Sequence, residues 1–238
     1  MNEKLPTHVV AIPDGNRRWA EKRNLKPWQG HRAGAKNLES ILEVVRDLNL
    51  PCFTFWAASK NNILKRSDRE VRLLLEVFRV YFTRLLKKKD IYELGVKVNF
   101  IGDWRQLFPD KVKEPMEKLI ESTKKHNQRS LSFMVAYSGQ DEMLQAVQKI
   151  GQKAREDNDF KITSDTIKQH LWTKELPPVD LIIRTGTEGD PHLSAGFMMW
   201  DTAEAQLHFT KTSWPDFGKT EFKKVLNNFS KRERRLGK

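Results

Sequence analysis

The sequence has few of the features that mark secreted and membrane proteins. It holds a single cysteine, Cys52, among 238 residues, which excludes an internal disulfide and any metal cluster built on several cysteines. Its longest mainly apolar stretch, residues 50–58, is far shorter than the roughly 20 residues that span a bilayer. The amino-terminal segment has no apolar core followed by a small-residue cleavage site, so no secretory signal is expected. These absences favour a cytoplasmic protein in a reducing compartment.

Several common catalytic and binding motifs are also missing. No GxGxxG opens a strand–helix unit, and neither HExxH nor GxSxG occurs. No aromatic RNA-binding signature is present. Gly218-Lys219-Thr220 resembles the end of a phosphate-binding P-loop, but the required first glycine falls at Ser213 and no buried strand precedes it. Neither a P-loop nor the aromatic RNA-binding motif is therefore predicted.

What the sequence does have is positive charge. Lysine and arginine number 43 against 31 acidic residues, a formal net charge of +12. A surplus of this size makes anions the expected partners, whether nucleic acid, anionic lipid or phosphorylated small molecules. A solvated basic surface explains any single cluster equally well. The choice between these interpretations depends on how the arginines are placed relative to glycines and carboxylates.

Short apolar runs alternate with longer segments of helical periodicity. The runs have four to seven residues and are rich in Val, Ile and Phe, which is typical of buried strands. They are His8–Ile12, Pro51–Ala57, Val96–Ile101, Ser130–Ala136, Asp180–Ile183 and, more weakly, Ala205–Phe209. The predicted helices are Gly34–Leu48, Ser67–Lys89, Lys111–Lys125, Gln140–Asp157, Ser164–Thr173 and Lys219–Arg234.

The alternation of strand and helix predicts an α/β fold. An open, mostly parallel sheet of about six strands with helices on both sides satisfies this order. No linker, repeat or low-complexity segment divides the chain, so residues 1–238 are interpreted as one domain. Ligands of such sheets bind beyond the carboxyl ends of the strands. The residues that follow each strand are therefore the first candidates for a functional site.

Those residues include one carboxylate and several groups that bind anions. Asp14 follows the first strand within Pro13–Trp19, and Arg184 begins the segment after the fifth strand. Arginine forks match phosphate oxygens, and free backbone N–H groups at a loop-to-helix turn cradle anions. Asp14 could hold Mg²⁺, which takes one or two carboxylates together with substrate phosphates. Each of these segments alone is also typical of an ordinary turn, but together they suit the binding of a diphosphate that is bridged by a metal ion.

The order of these segments resembles the cis-prenyltransferase family, that of undecaprenyl diphosphate synthase and its relatives. The similarity covers nearly the whole chain. It is carried by HVVAIPDGNRRWA (residues 8–20), GHRAGAKNL (30–38), FWAASKNN (55–62), IGD (101–103), PVDLIIRTGTE (178–188), SWPDF (213–217) and KRERRLG (231–237).

The resemblance implies a reaction and its setting. Isopentenyl diphosphate would be condensed repeatedly onto an allylic diphosphate, with each new double bond in cis. It also implies about six parallel strands, Mg²⁺ dependence, a homodimer and a hydrophobic tunnel for the growing chain. Leu74, Phe78 and Phe82 of the Ser67–Lys89 helix could line that tunnel. Loose contact with a membrane surface is a further expectation, because the product is apolar and the carboxyl terminus is basic.

The resemblance also implies roles for individual residues. Asp14 would present Mg²⁺, and Ser59, Asn62 and Asn16 would act near the reacting centre. The allylic diphosphate would be bound by Gly15, Asn16, Arg17, Arg18, Trp19 and His31. Isopentenyl diphosphate would be bound by Arg66, Arg184, His192 and Ser194. The carboxyl-terminal Arg235-Leu236-Gly237 resembles an RxG motif that reaches the partner subunit's site.

Four departures from the family pattern qualify these roles. Arg17 replaces a usual glycine, and Pro27 replaces a usual basic residue, for which Arg17, Arg23 or Lys26 could substitute. One extra residue precedes Lys65-Arg66, which leaves open which of them matches the family arginine. The family's metal-linked glutamate falls at Gln206, and an amide is a poorer Mg²⁺ ligand than a carboxylate. A non-catalytic partner subunit of a heteromeric enzyme is therefore the alternative function.

Overall fold

A parallel six-stranded sheet forms the centre of the protein. The computed structural model describes residues 5–232. The strands lie in the order β3-β4-β2-β1-β5-β6, and all five neighbouring pairs are parallel. Their bounds are His8–Ile12 (β1), Cys52–Trp56 (β2), Val96–Ile101 (β3), Arg129–Met134 (β4), Leu181–Arg184 (β5) and Gln206–Phe209 (β6). The predicted α/β class, open sheet and strand number are confirmed.

Helices connect the strands and cover both faces of the sheet. They are α1 (Asn16–Glu21), α2 (Pro27–Asp47), α3 (Lys60–Leu64), α4 (Asp68–Leu85), α5 (Lys89–Glu93), α6 (Trp104–Leu107), α7 (Asp110–Thr123), α8 (Gly139–Glu156), α9 (Ser164–His170) and α10 (Lys219–Ser230). A 3₁₀ turn follows β6 at Trp214–Asp216. Within residues 5–232, no helix is both long and apolar enough to cross a bilayer.

The strand sequences are apolar on both faces because the sheet has a core on each side. Every residue of β1 is buried. Val9 and Ala11 join the larger core, to which α2, α4, α7 and α10 contribute. Val10 and Ile12 join a second core on the opposite face, which includes Tyr137, Phe197 and Met198. A continuous apolar run is the pattern expected of a strand buried on both sides.

Helix α4 carries the clearest amphipathic stripe. Leu74, Leu75, Phe78, Phe82 and Leu85 recur at spacings of three and four, and all are buried. The helix begins after Ser67, whose side chain accepts a hydrogen bond from the backbone N–H of Glu70 at 3.4 Å. It ends at Leu85, four residues before the predicted end, and the lysines that follow lead into α5. This stripe presses α4 onto α7 and α2.

The start of α2 and the short helices differ from the predictions for identifiable reasons. Helix α2 begins at Pro27, seven residues before the predicted start at Gly34. Proline suits the first turn of a helix because its missing N–H would have no partner there. The short helices α1, α3, α5 and α6 span four to six residues, too few to show a period in the sequence.

The topology gathers particular loops at one edge of the sheet. Strand β1 lies between β2 and β5, so the segments after these three strands are neighbours in space although they are far apart in sequence. The carboxyl ends of parallel strands all point to the same edge. Asp14, Ser59 and Arg184 therefore share that edge.

Candidate active site

A polar pocket of about 1110 Å³ opens at the carboxyl ends of β1, β2 and β5. Its walls come from the segments that the sequence placed there. The predicted site residues that line it are Asp14, Gly15, Asn16, Arg17, Arg18, His31, Ser59, Asn62, Arg66, Arg184 and Ser194. Eleven of the thirteen predicted residues thus meet at one place, and only Trp19 and His192 do not line the pocket.

Asp14 is the carboxylate at the centre of this pocket. One of its oxygens lies 3.3 Å from the guanidinium of Arg18, and the other lies 3.3 Å from that of Arg184. The backbone N–H of Gly15 donates to the first oxygen at 2.6 Å. The side chain is still 42% exposed, so the carboxylate is accessible from the pocket while it holds two arginines.

The turn that presents Asp14 requires a glycine. Gly15 has φ +95°, a conformation that residues with a side chain rarely adopt, and a Cβ there would lie 2.8 Å from the hydroxyl of Ser213. Helix α1 begins at the next residue, Asn16, whose amide donates to the carbonyl of Pro13 at 2.9 Å. The DGN segment is thus a tight turn that aims Asp14 and the start of α1 at the pocket.

A second glycine brings α2 against this turn. A Cβ on Gly30 would lie 2.0 Å from the backbone oxygen of Asn16. The close approach places His31, the next residue, at the pocket. His31 is largely buried, and burial together with the neighbouring Arg66 and Arg17 lowers its pKa to about 4. The imidazole is therefore neutral at neutral pH and can accept a hydrogen bond.

Arg184 is the last residue of β5 and is almost entirely buried, with 7% of its surface exposed. It donates to the hydroxyl of Ser194 at 3.2 Å and to the backbone oxygen of His192, in addition to its ion pair with Asp14. These contacts fix the guanidinium between the β1 turn and the loop after β5. The His192 ring faces Asp190 and Ser194.

Ser59 and Asn62 form a reciprocal cap at the start of α3. The Ser59 hydroxyl accepts from the Asn62 N–H at 3.1 Å, and the Asn62 side-chain oxygen accepts from the Ser59 N–H at 3.2 Å. This pairing is a capping box, in which two otherwise unpaired N–H groups are satisfied together. It fixes the polar atoms of both residues at the pocket edge, next to the end of β2.

A lysine between these residues joins three elements. The Lys60 ammonium lies 2.7 Å from Asp103, which follows β3, and 2.9 Å from Asp141 in the first turn of α8. These carboxylates raise the pKa of Lys60. Lys60 and Asp141 line the pocket, yet the sequence assigned them no role. Asp103 belongs to the IGD motif, which was the only available signal for this bridge.

The structure places Trp19 and Gln206 away from the pocket lining. The indole N–H of Trp19 donates to Asp216 at 2.7 Å, and Arg23 stacks on its ring at 4.3 Å. Gln206 begins β6, at the opposite end of the sheet from Asp14, and accepts a hydrogen bond from Arg232 at 3.2 Å. Within this chain, Gln206 therefore does not reach the Asp14 carboxylate. The Arg235-Leu236-Gly237 motif lies outside the described residues.

The structure shows which residues lie at the pocket for two departures from the family pattern, the one at Pro27 and the one at Lys65-Arg66. Pro27 begins α2, and of its candidate substitutes Arg17 alone lines the pocket. Arg23 is held by Asp216 at 3.0 Å. Arg66 lines the pocket and Lys65 does not, which favours Arg66 as the match for the family arginine.

An apolar chamber lies beside the polar pocket. It has a volume of about 50 Å³ and shares Asn16 and His31 with the pocket. Its other walls come from α2, α4 and the strands between them. They are Gly34, Ala35, Leu38, Phe55, Ala57, Leu74, Val77, Phe78, Tyr81, Phe82, Phe133 and Trp214. The predicted wall residues Leu74, Phe78 and Phe82 all face this chamber, whereas a continuous tunnel stays a prediction.

The donor set suits a magnesium ion that is shared with a substrate. Within residues 5–232, no three histidine, cysteine or acidic side chains converge to form a protein-only metal site. Asp14 offers one accessible carboxylate beside Arg18 and Arg184, and arginine forks match phosphate oxygens. Mg²⁺ commonly uses one or two carboxylates and completes its shell with water and phosphate oxygens. Asp14 would supply the protein's ligand in such an arrangement.

Comparisons with known proteins agree with this geometry. The family model for undecaprenyl diphosphate synthase matches residues 12–237. The chain is 38% identical to a tritrans,polycis-undecaprenyl-diphosphate synthase (geranylgeranyl-diphosphate specific) of Pyrococcus abyssi, over 98% of this chain and 88% of that one. It is also 38% identical to an isoprenyl transferase of Aquifex pyrophilus, over 100% of this chain and 98% of the relative.

A solved structure is similar over nearly the same extent. The lavandulyl diphosphate synthase of Lavandula x intermedia, in complex with dimethylallyl diphosphate, superposes with a TM-score of 0.88 and 26% identity. The similarity covers 98% of this chain and 99% of that chain. Fold and site thus define a transferase of prenyl groups. The chain belongs to the undecaprenyl diphosphate synthase family of cis-prenyltransferases.

Proposed function

We propose that the protein condenses isopentenyl diphosphate repeatedly onto an allylic diphosphate, with each new double bond in cis, to give a polyprenyl diphosphate. The observation that carries this proposal is the position of Asp14. Its carboxylate lies between Arg18 and Arg184 in a pocket that meets an apolar chamber at Asn16 and His31. A site of this form offers positive charge for two diphosphates and, beside them, an apolar wall for the start of a tail.

The proposed step exchanges a C–O bond for a C–C bond. The allylic carbon loses its diphosphate and is attacked by the terminal alkene carbon of isopentenyl diphosphate. The attack leaves a tertiary cation at the next carbon of the isopentenyl unit. A proton then leaves the CH₂ on the diphosphate side of that cation, which restores an alkene, and the diphosphate of the allylic substrate is released. The departing group gains negative charge as the C–O bond breaks, so fixed positive groups around it lower the barrier.

The residues of the β1 turn and α1 are placed to hold the allylic diphosphate. Arg17 and Arg18 carry guanidiniums into the pocket, which Asn16 at the start of α1 also lines. Mg²⁺, held by Asp14 when bound, would neutralise part of the diphosphate charge. Arg18 also donates to the backbone oxygen of Gly186 at 2.6 Å, which ties this turn to the loop after β5.

Arg184 and Ser194 are placed to hold isopentenyl diphosphate. They are hydrogen-bonded to each other and lie across Asp14 from Arg18. The capped Ser59 and Asn62 lie at the pocket edge next to β2, where they would orient the reacting carbons and the departing proton. Arg66 adds a further guanidinium at the His31 side.

The apolar chamber is the proposed start of a tunnel for the growing chain. Its volume of about 50 Å³ is far smaller than a polyprenyl chain. Elongation therefore requires that α2 and α4 separate or that the rings of Phe78, Phe82 and Tyr81 turn aside. The half-buried small residue Ala57 at its entrance leaves room for a chain.

The homodimer, the cytoplasmic location and loose contact with a membrane surface belong to the same proposal. The family membership supports the dimer. The net charge of +12 supports attraction to anionic lipid, which would receive an apolar product. Nucleic acid is not among the proposed partners, because the arginines of the site are gathered around the carboxylates of Asp14 and Glu70 at one pocket rather than along a surface.

Product formation is the decisive experiment. The purified protein is incubated with farnesyl or geranylgeranyl diphosphate, radiolabelled isopentenyl diphosphate and Mg²⁺, and the products are separated by length. We expect elongated products that disappear with EDTA. A folded protein that makes none would contradict the proposal, and activity only after mixing with a catalytic homologue would identify a non-catalytic partner subunit.

A further inference from the structure

Glu70, in the first turn of α4, has an unexpected set of partners. The sequence predicts a capping box in which the Glu70 side chain returns to the N–H of Ser67. The structure forms only half of this motif: the Ser67 hydroxyl accepts from the Glu70 N–H. The Glu70 carboxylate turns instead towards the polar pocket. One of its oxygens lies 3.2 Å from Arg66 and 3.7 Å from Arg17.

The two arginines come from separate elements and line the same pocket. Arg17 lies in α1, and Arg66 lies between α3 and α4. The resemblance places Arg17 with the allylic diphosphate and Arg66 with isopentenyl diphosphate. A single carboxylate oxygen therefore joins an arginine of each proposed diphosphate site.

The positive charge at this point needs a counter-charge. The Arg66 side chain is 20% exposed, and it also lies 3.4 Å from the ring of His31. Burial lowers the pKa of Arg66, Glu70 opposes that shift, and Arg17 adds to it by repulsion. Without Glu70, two like charges would face each other beside a buried imidazole.

Glu70 differs from Asp14 in accessibility. Its side chain is 17% exposed, against 42% for Asp14, and it does not line the pocket. The oxygen that meets the arginines makes no aligned hydrogen bond within the described chain. Its attraction to the arginines is therefore largely that of opposite charges.

We propose that Glu70 is a positioning residue that sets the spacing between the arginines of the two diphosphate sites. Through α4 it also ties them to the chamber wall, because Leu74 and Phe78 lie one and two turns further along the same helix. The inference rests on the proposed function for the identity of the substrates. The geometry of Glu70, Arg17 and Arg66 stands independently of it.

The test compares Glu70→Gln with Glu76→Gln. Glutamine keeps the size of the side chain and removes its charge. Glu76 lies on the same helix and pairs with Arg79 at 2.5 Å on the surface, away from the polar pocket. Affinity for inorganic pyrophosphate is measured by calorimetry, and KM is measured separately for the allylic substrate and for isopentenyl diphosphate.

We expect Glu70→Gln to weaken pyrophosphate binding about tenfold and to raise both KM values by a similar factor. We expect kcat to stay within about threefold of the wild type. Glu76→Gln should match the wild type in every respect. Arg17→Gln should cost less in the Glu70→Gln background than alone, since paired residues do not contribute additively.

Three results would overturn the inference. Unchanged pyrophosphate affinity and KM values would show that Glu70 does not position the arginines. Tighter binding would show that Glu70 competes with the diphosphate instead of preparing its site. Strict additivity with Arg17→Gln would show that the two residues are independent. If Glu70→Gln does not fold, Glu70→Asp, which keeps the charge, replaces it in the same cycle.

The test separates this inference from the proposed function. A wild-type protein that makes no elongated product refutes the function, while the pyrophosphate affinities still decide the role of Glu70. A wild-type protein that elongates normally, with a Glu70→Gln variant that binds pyrophosphate equally well, refutes only the role of Glu70.

Discussion

The polar pocket and the apolar chamber meet at Asn16 and His31 but are built in opposite ways. The pocket comes from short loops after strands, and its arginines are matched by carboxylates: Asp14 faces Arg18 and Arg184, and Glu70 faces Arg17 and Arg66. The chamber comes from the regular stripes of α2 and α4 and is lined mainly by aliphatic and aromatic side chains.

This difference separates two tasks. Loops place charged atoms individually, because each is fixed by its own turn or cap, as at Gly15 and Ser59. The apolar stripes of the helices supply a continuous surface. Their side chains are alike in chemical character but differ in shape. Changes in the pocket should therefore affect turnover at little cost in stability, and changes in the chamber should affect stability and product length. The predictions that follow test this separation.

The largest effect is expected at the centre of the pocket. Asp14→Asn removes the carboxylate that faces both arginines and would hold Mg²⁺, and turnover should fall by about 10³-fold or more. Steady-state incorporation of labelled isopentenyl diphosphate measures it. Asp110→Asn is the control, because that side chain is 98% exposed at the start of α7. Turnover of Asp14→Asn within tenfold of the wild type would refute the role of Asp14.

In the chamber we expect a large effect on stability and product length instead of on turnover. Phe78→Ala removes a buried ring that packs against Phe82 and Phe108. The free energy of unfolding should fall by about 3–5 kcal/mol, and the product lengths should change while KM for isopentenyl diphosphate stays within about twofold. Denaturant unfolding and product chromatography measure these quantities.

The control for the chamber is Leu144→Ala, since Leu144 is 57% exposed on α8. It should leave stability and product lengths unchanged. If Phe78→Ala raises KM for isopentenyl diphosphate well beyond twofold as well as changing the product lengths, the chamber and the pocket are not separate.

At Ser59 we expect a loss of stability that is smaller than for Phe78→Ala, together with a loss of turnover. Ser59→Ala removes the cap of α3 and should lower the free energy of unfolding by about 1 kcal/mol. Turnover should fall much further than this loss explains, because the hydroxyl lies at the pocket. Thr163→Ala is the matched control: Thr163 caps α9 by accepting from the Thr166 N–H at 3.1 Å, away from the pocket. Equal activity in the two variants would contradict a role for Ser59.

The smallest effect at neutral pH is expected at the junction of the two regions. The pKa of His31 is lowered to about 4 by burial and the nearby arginines, whereas an unfolded histidine titrates near 6.5. Between pH 6.5 and about 4 the unfolded state binds the extra proton, so stability is present above this window and falls as the pH decreases through it.

The variant His31→Gln should therefore show a shallower dependence of stability on pH in that window, by up to about 1.4 kcal/mol per pH unit. Chemical denaturation at several pH values measures the slope. His8→Gln offers a comparison, because burial also lowers the pKa of His8 at a position far from the pocket. Identical slopes for His31→Gln and the wild type would mean that His31 is protonated as readily in the fold as in the unfolded chain.

The strand runs and the helical stripes were readable because they repeat. His8–Ile12 and Val96–Ile101 match their predicted bounds, and the order of strand and helix led to the parallel sheet. The rule that ligands bind at the carboxyl ends of strands then placed Asp14, Ser59 and Arg184 at one edge. Each of these steps needs only local pattern and a general property of parallel sheets.

The remaining features depend on partners that are distant in sequence. Lys60 bridges Asp103 and Asp141, Glu70 reaches Arg17 more than 50 residues earlier, and Gln206 lies at the end of the sheet away from Asp14. The sequence by itself determined the strands, the longer helices and the edge at which the chemistry lies. Only the tertiary structure decided which charged groups face each other, because the direction of a side chain depends on how elements that are distant in sequence pack together.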